Sequence, residues 1–235
     1  MKIANKRVLI VGASSGIGLE TANYLATLNY DIIVSSRTKS KECNEEYLYV
    51  DISDEKSVKE LFLGIDRLDA IVYSVGITTG QKNIKEFSKD LFNKIMDVNV
   101  TGVLLCLKYA YELLKLSRGK IVIVNSLASR TYSQFSGVEY TVSKSALNGV
   151  VKQLSQEFAK DGILINSVMP SMTATPMLID NVDKTLLKSI ENKIPLGRIA
   201  NSLEIAKAIE FLISDKNTYI TGSGLDINGG QYLDG

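Results

Sequence analysis

Short apolar runs alternate along the chain with longer stretches in which apolar residues recur at helical spacing. The runs are Val8–Val11, Ile32–Ser35, Tyr47–Val50, Ala70–Ser74, Ile121–Val124, Ile163–Val168 and Leu225–Ile227. Most are continuous rather than in/out alternating, the pattern of strands buried on both faces. Helical spacing covers Gly16–Leu28, Glu55–Leu63, Lys89–Leu116, Glu139–Lys160 and Leu203–Ile213. Strand followed by helix, repeated to the end, predicts right-handed βαβ units. The expected fold is α/β, a doubly wound parallel sheet of about seven strands with helices on both faces. No repeat, low-complexity tract or linker interrupts the pattern, so residues 1–235 are expected to form a single domain. One connection departs from it. Only 13 residues separate Arg37 from Asp51, too few for a crossover helix and a strand. A loop or one helical turn is expected there, leaving the edge strand at Tyr47–Val50 less covered.

Composition narrows the chemistry. Lys+Arg is 27 against 26 Asp+Glu, a net charge of +1, which argues against a nucleic-acid binder. Histidine is absent, excluding His-based triads and the H-E-x-x-H zinc signature. The two cysteines, Cys43 and Cys106, are too few for a structural zinc site and suggest no disulfide framework, so a reducing cytoplasm is expected. No stretch is long and apolar enough for a signal peptide or a membrane span.

Three motifs carry chemistry. Gly12-Ala-Ser-Ser-Gly16-Ile-Gly18 follows the first strand and opens a helix. Gly12 permits the tight turn, Gly16 lets backbone approach a pyrophosphate, and Gly18 allows close helix–sheet contact. Ser14, Ser15 and Ile17 lie between them, where the helix N-terminus presents free N–H groups to an anion. A glycine-rich turn without a ligand is the competing reading, and the strand-before, helix-after context disfavours it. The second strand ends in Ser36-Arg37, where NAD-binding folds carry an acid for the ribose hydroxyls. A hydroxyl and a planar cation there suit a 2′-phosphate, so NADP is expected over NAD. The third is Ser126 with Tyr140-Thr-Val-Ser-Lys144. The i, i+4 spacing puts phenol and ammonium on one helix face, and Ser126 sits where a strand runs out, the end at which such sheets build their sites. A nearby ammonium is expected to pull the phenol below its usual pKa of about 10, bringing Tyr140 into range for acid–base work. Ser126 would hydrogen-bond the substrate oxygen. A Tyr and a Lys four apart on a helix are by themselves more often a surface pair.

Taken in order, these residues resemble the short-chain dehydrogenase/reductase family, Rossmann-type proteins, in its branch of single-domain members typified by 3-oxoacyl-carrier-protein reductases. The resemblance runs through nearly the whole chain. It places Asp51-Ile52 beside the adenine and makes Asn99 the fourth member of a tetrad with Ser126, Tyr140 and Lys144. It sets Pro170, Thr173 and Thr175 on the segment holding the nicotinamide carboxamide, and likens residues 219–230 to the family's last strand and its entry. It implies hydride transfer between a nicotinamide and a carbonyl or carbinol carbon while Tyr140 moves the proton. Lys144 would bind the nicotinamide ribose and lower the Tyr140 pKa, and Asn99 would hold a water linking Lys144 to solvent. The small-molecule substrate is a 3-oxoacyl thioester or another small carbonyl compound. A nucleotide-binding regulator without turnover is the alternative, disfavoured because a sensor needs no tetrad.

Several positions depart from the family pattern. Val11 replaces the usual threonine, Tyr73-Ser74-Val75-Gly76 replaces Asn-Asn-Ala-Gly so that Ser74 must serve alone, and Ser171 stands where glycine is usual. The short connection before Asp51 bears on the adenosine end. Met172, Met177, Leu178 and Ile179, within the segment from Met172 to Pro195, would wall the substrate pocket or merely pack that segment on the sheet. Asp161 weakens the match to the basic turn that docks an acyl carrier, leaving Lys115 and Arg118 as candidates. The two long helices are apolar beyond one stripe: Val103, Leu104, Leu105, Leu107, Tyr109 and Tyr111 on one, Leu147, Val150, Val151, Leu154 and Phe158 on the other. A second partner is expected there, and the resemblance implies a homotetramer, with a dimer as the alternative.

Overall fold

Successive strand residues face opposite sides of a sheet, so a continuous apolar run supplies two cores at once. In the computed structural model, which describes residues 5–78, 80, 83–179 and 184–233 and excludes the side chains of Met177, Ile179 and Lys184, the runs do this. The elements are β1 (Arg7–Val11), α1 (Gly16–Thr27), β2 (Asp31–Ser36), β3 (Glu46–Tyr49), α2 (Glu55–Leu63), β4 (Ala70–Tyr73), α3 (Lys89–Met96), α4 (Gly102–Ser117), β5 (Lys120–Val124), α5 (Val138–Ala159), β6 (Leu164–Pro170), β7 (Thr173–Ala174), α6 (Pro176–Ile179), α7 (Lys184–Glu191), β8 (Ala200–Asn201), α8 (Ser202–Ile213) and β9 (Gly224–Ile227). Seven strands form one sheet in the order β3-β2-β1-β4-β5-β6-β9, every neighbour parallel. Leu9, Ile33, Ile71 and Ile121 pack with Leu61 of α2, Leu114 of α4 and Leu147 of α5. Val8, Ile10, Val34 and Val122 pack on the other side with Leu25 of α1 and Ile209 of α8. Cys106 belongs to the first core and Cys43 to the second, so the sheet lies between two free thiols.

The strand order reverses between β1 and β4, and a crevice opens there at their carboxyl ends, the usual ligand position in such sheets. The amino ends are tied by charge instead. Arg7 on β1 reaches Asp31 at 2.8 Å and Asp66 at 3.0 Å, its N–H donates to Asp69, and Arg67 pairs with the same carboxylate. Lys6 pairs with Asp215, and Lys120 at the foot of β5 donates to the carbonyls of Ser214 and Asn217.

The short connection is as expected: residues 37–45 hold no helix, and Tyr49 on the edge strand is 58% exposed. The long helix expected over Lys89–Leu116 is corrected. It is two helices, α3 and α4, joined by a wider π-helical turn at Asp97–Thr101. Within that turn the Val98 carbonyl accepts from the buried Tyr73 hydroxyl at 2.8 Å. Gly102 follows because a Cβ there would lie 2.7 Å from the Tyr73 oxygen. Elements too short for a periodicity signal are β7 and β8, which pair in parallel as a two-stranded sheet, and α6. The amphipathic α7 also carried no strand–helix alternation to announce it. Ser202 donates to the Ala174 carbonyl, so both ends of the segment between β7 and β8 are held together at its base.

Candidate active site

The glycine loop has the geometry its spacing implies. Gly12 adopts φ +92°, and a Cβ there would press on the Val75 side chain and the Ser74 backbone within 2.8 Å. A side chain at Gly18 would fall inside contact distance of the Gly12 carbonyl. Val11 offers no hydroxyl, yet backbone bonds fix the loop: Gly12 N–H donates to Ser35 O at 2.7 Å, and Ser74 N–H to Val11 O at 2.8 Å. Ser15 ends the turn in extended conformation and its side chain makes no capping bond, so the first N–H groups of α1 stay available to an anion. Ser14 and Ser15 are exposed and Ile17 packs on the α1 core. A cavity of about 270 Å³ adjoins Ser14, Ser15 and Gly16, with Glu20, Ser40 and Glu42 on its rim. Thr175 approaches Gly16 from the segment after β6. An open helix N-terminus, two exposed serines and a turn that only glycine fits suit the pyrophosphate of a dinucleotide.

At the adenosine end the side chains are already engaged within the chain. Arg37 is exposed, but the Ser36 hydroxyl donates to Thr38 O at 2.7 Å and would have to let go to meet a phosphate. The Asp51 carboxyl is held below its ordinary range by hydrogen bonds from the Ser53 hydroxyl and N–H, with Arg37 adding to the effect and burial opposing it. Ile52 is buried against Gly102.

The tetrad residues converge from three elements. Ser126 lies just past β5, and its Oγ accepts from Ala128 N–H at 3.1 Å. Tyr140 and Lys144 face the same way from the first turns of α5, with Nζ 5.7 Å from the phenol ring centroid. Lys144 is buried and donates to Val124 O at 3.1 Å. Gly76 keeps room for it, since a Cβ there would sit 3.3 Å from Nζ. Asn99 is fully buried in the π-helical turn. Its Oδ1 accepts from Ile77 N–H at 2.8 Å, and its Nδ2 donates to Ile77 O at 3.0 Å and Ser143 Oγ at 2.9 Å. Ser143 in turn donates to Tyr140 O at 2.7 Å. The Asn99 side chain therefore fastens the turn after β4 to α5.

One electrostatic expectation is corrected. Burial pushes the Tyr140 phenol above its ordinary value, and only the interaction with Ser126 pulls it back. The neighbouring cation does not outweigh this because Lys144 is itself desolvated, down to about 8. Burial acts on both groups, favouring the neutral form of each.

Pro170 ends β6, Thr173 is buried with its hydroxyl on Ser171 O, and Ser171 N–H reaches Ile227 O. Met172 and Leu178 are half-buried in the segment beyond; the Met177 and Ile179 side chains lie outside the described residues. Lys115 is occupied by Asp161 at 3.3 Å, which also accepts from Tyr111, so it offers a carrier little free charge. Two residues were not singled out from sequence. Tyr73 was seen only as a lost asparagine, and Ser143 only as the fourth letter of the Tyr140–Lys144 motif.

Fold and site together define a class: an oxidoreductase built on a dinucleotide-binding α/β sheet. The chain belongs to the short-chain dehydrogenase/reductase family, whose members use NAD(P). A family model described as "Enoyl-(Acyl carrier protein) reductase" matches residues 12–231. An uncharacterized oxidoreductase, YgfF of Escherichia coli, is 34% identical, covering 95% of this chain and 98% of its own. An acetoacetyl-CoA reductase of Acinetobacter is 30% identical, covering 97% and 98%. The solved structure "ElxO with NADP Bound" has a TM-score of 0.88 at 31% identity, covering 97% of this chain and 98% of that one. Among the described residues no helix is long and apolar enough to cross a membrane.

Proposed function

We propose that the chain is an NADP-dependent carbonyl reductase that works through Asn99, Ser126, Tyr140 and Lys144. The observation that carries this is the meeting of Ser126, Tyr140 and Lys144 at the carboxyl edge of the sheet, across the β1/β4 crevice from the open N-terminus of α1. Gly12–Gly18 with Ser14 and Ser15 would hold the pyrophosphate. Ser36 and Arg37 would meet the 2′-phosphate, with Asp51, Ile52 and the turn Ser74–Gly76 around the adenosine. Pro170, Thr173 and Thr175 would hold the carboxamide. The coenzyme supplies the hydride.

The chain's own groups handle the oxygen. Ser126 and Tyr140 donate hydrogen bonds to the carbonyl oxygen, and the phenol passes its proton as charge develops there. A phenol raised by burial is fully protonated at neutral pH, the form a reduction requires. Lys144 stays mostly protonated below pH 8 and stabilises the phenolate left behind. The substrate class favoured is a 3-oxoacyl thioester, as the names of the acetoacetyl-CoA reductase and the 3-oxoacyl-carrier-protein reductases among the relatives suggest. With Lys115 paired, a coenzyme A thioester is preferred over a carrier-bound one. Cys43 and Cys106, both free, suit a reducing cytoplasm.

The test is NADPH consumption over a panel of 3-oxoacyl thioesters and simple ketones. Tyr140→Phe is expected to lose ~10²–10⁴-fold in kcat with NADPH binding retained. More than about a tenth of wild-type kcat in that variant would remove Tyr140 as the proton donor. NADPH should exceed NADH in kcat/KM, and Ser36→Asp should narrow or reverse the gap by repelling the 2′-phosphate. Equal values for the unmodified chain would refute the coenzyme choice. Coenzyme binding without turnover on any compound would favour a nucleotide-binding regulator instead.

A further inference from the structure

The helix that carries Tyr140 and Lys144 continues the same face one turn further, to Asn148. Residues four apart lie one above the other on a helix, so these three form a row, and the row runs along the end of β5. Lys144 donates to Val124 O at 3.1 Å, and Tyr140 meets the Ser126 side chain. Asn148 takes the residue between them and the far end of the serine turn. Its Oδ1 accepts from Asn125 Nδ2 at 2.9 Å, and its Nδ2 donates to Ser129 O at 3.1 Å. Each end of the amide is used once, while Asn148 bonds no tetrad side chain among the described residues. The other bonds of the turn lie within it or reach the sheet. Ser126 O accepts from Ser129 N–H at 3.0 Å and Ser129 Oγ at 2.7 Å, and Ser126 Oγ accepts from Ala128 N–H. Asn125 N–H makes the last rung to β6, donating to Val168 O at 2.9 Å. Those bonds set the shape of the turn and where it starts. Beyond Val124, and besides the Ser126–Tyr140 contact itself, the hydrogen bonds that set its distance from α5 among the described residues are those of Asn148.

We propose that Asn148 is a positioning residue for the reaction, holding the serine turn to α5 so that the Ser126 hydroxyl stays at the distance from Tyr140 at which both meet one substrate oxygen. The inference rests on the roles proposed above for Ser126 and Tyr140. Two donors converge on one oxygen only if the turn that carries one and the helix that carries the other keep a fixed separation. Misplacing a reacting group by about 1 Å costs up to ~10²-fold in rate, and Ser126 lies past the last rung of the ladder. An asparagine suits the task because its short planar amide donates and accepts at once. A leucine of similar size would fill the place and bond neither end. Buried amides are ordinarily bonded for stability as well, and Asn125 is 4% exposed, so loss of Asn148 is expected to lower the melting temperature too. Coupling separates positioning from packing. A residue that acts through Ser126 has nothing left to position once that hydroxyl is gone.

The experiment is a double-mutant cycle in kcat on the full chain: wild type, Asn148→Ala, Ser126→Ala and the double variant. Each is assayed with NADPH and the best compound of the panel above, well below its own melting temperature. Asn148→Ala is expected to lower kcat about tenfold with the NADPH dissociation constant unchanged. In the Ser126→Ala background the same substitution should change kcat by less than about twofold. Equal losses in the two backgrounds, or full kcat in folded Asn148→Ala, would overturn the positioning role. If Asn148→Ala does not fold, Asn125→Ala removes the same tie from the strand side and takes its place in the cycle, read by the same outcomes. Full kcat in Ser126→Ala alone would overturn the reading on which the inference rests, and the inference with it.

Discussion

Lys144 places an ammonium where water cannot follow, and its pKa of about 8 measures what that costs the fold. The unfolded chain keeps the lysine at its ordinary value of 10.5, so between the two values the unfolded state holds a proton the folded state has released. Folding stability from this group therefore rises with pH across that window, and the penalty is complete below it. Lys144→Met removes the titration. The stability of wild type relative to the variant should rise by about 3 kcal/mol from pH 7 to above pH 10.5, while kcat collapses at every pH. The unpaired Val124 carbonyl adds a constant offset, not a slope. Denaturant unfolding at several pH values reads the difference, and a flat difference would mean that the ammonium is not desolvated. In the proposed mechanism, Lys144 is a residue that stability alone would discard.

At the scale of elements, the π-helical turn between α3 and α4 connects core and site. Its Val98 carbonyl accepts from Tyr73, and its Asn99 ties Ile77 to α5. Burial raises the Tyr73 phenol well above its ordinary value, so it remains a donor at any working pH. Tyr73→Phe should cost about 1–2 kcal/mol of stability and lower kcat several-fold with little change in coenzyme KM, read by thermal melts beside steady-state kinetics. Unchanged values of both would mean the carbonyl finds another partner. This turn also marks the limit of what sequence could say. The strands were legible because burial on both faces leaves continuous apolar runs, and α2 was legible to the residue. The break in Lys89–Leu116 was not, because an added residue in a helical turn barely disturbs apolar spacing and is stabilised by Tyr73, which bonds Val98 25 positions further along the sequence. The tetrad and glycine loop were readable because fixed spacing and strand context carry them. The direction of the Tyr140 shift was not, since it depends on how much water two side chains lose.

At the scale of the whole molecule, the surfaces of α4 and α5 bear on how many copies work together. Tyr109 and Tyr111 looked like apolar surplus, yet their hydroxyls bind Glu55 and Asp161 within the chain, so they argue less for a partner than their sequence suggested. Leu104, Leu116 and Val142 remain exposed on α4 and α5, and on these we expect a homotetramer, with a dimer as the smaller alternative. Light scattering at micromolar concentration should give about four times the 25.8 kDa of one chain; a mass near one chain would overturn it.

The amino edge of the sheet, with Arg7, Lys6 and Arg67 among their carboxylates, pairs with none of the residues proposed to handle coenzyme or substrate. Each strand is therefore answerable to two different selections, one at either end. Charges exchanged at the foot of the strands can retune tolerance to salt and heat while the chemistry at the other end stays as it is. The chain can thus be adapted to a new environment by rewriting the end that never meets the substrate.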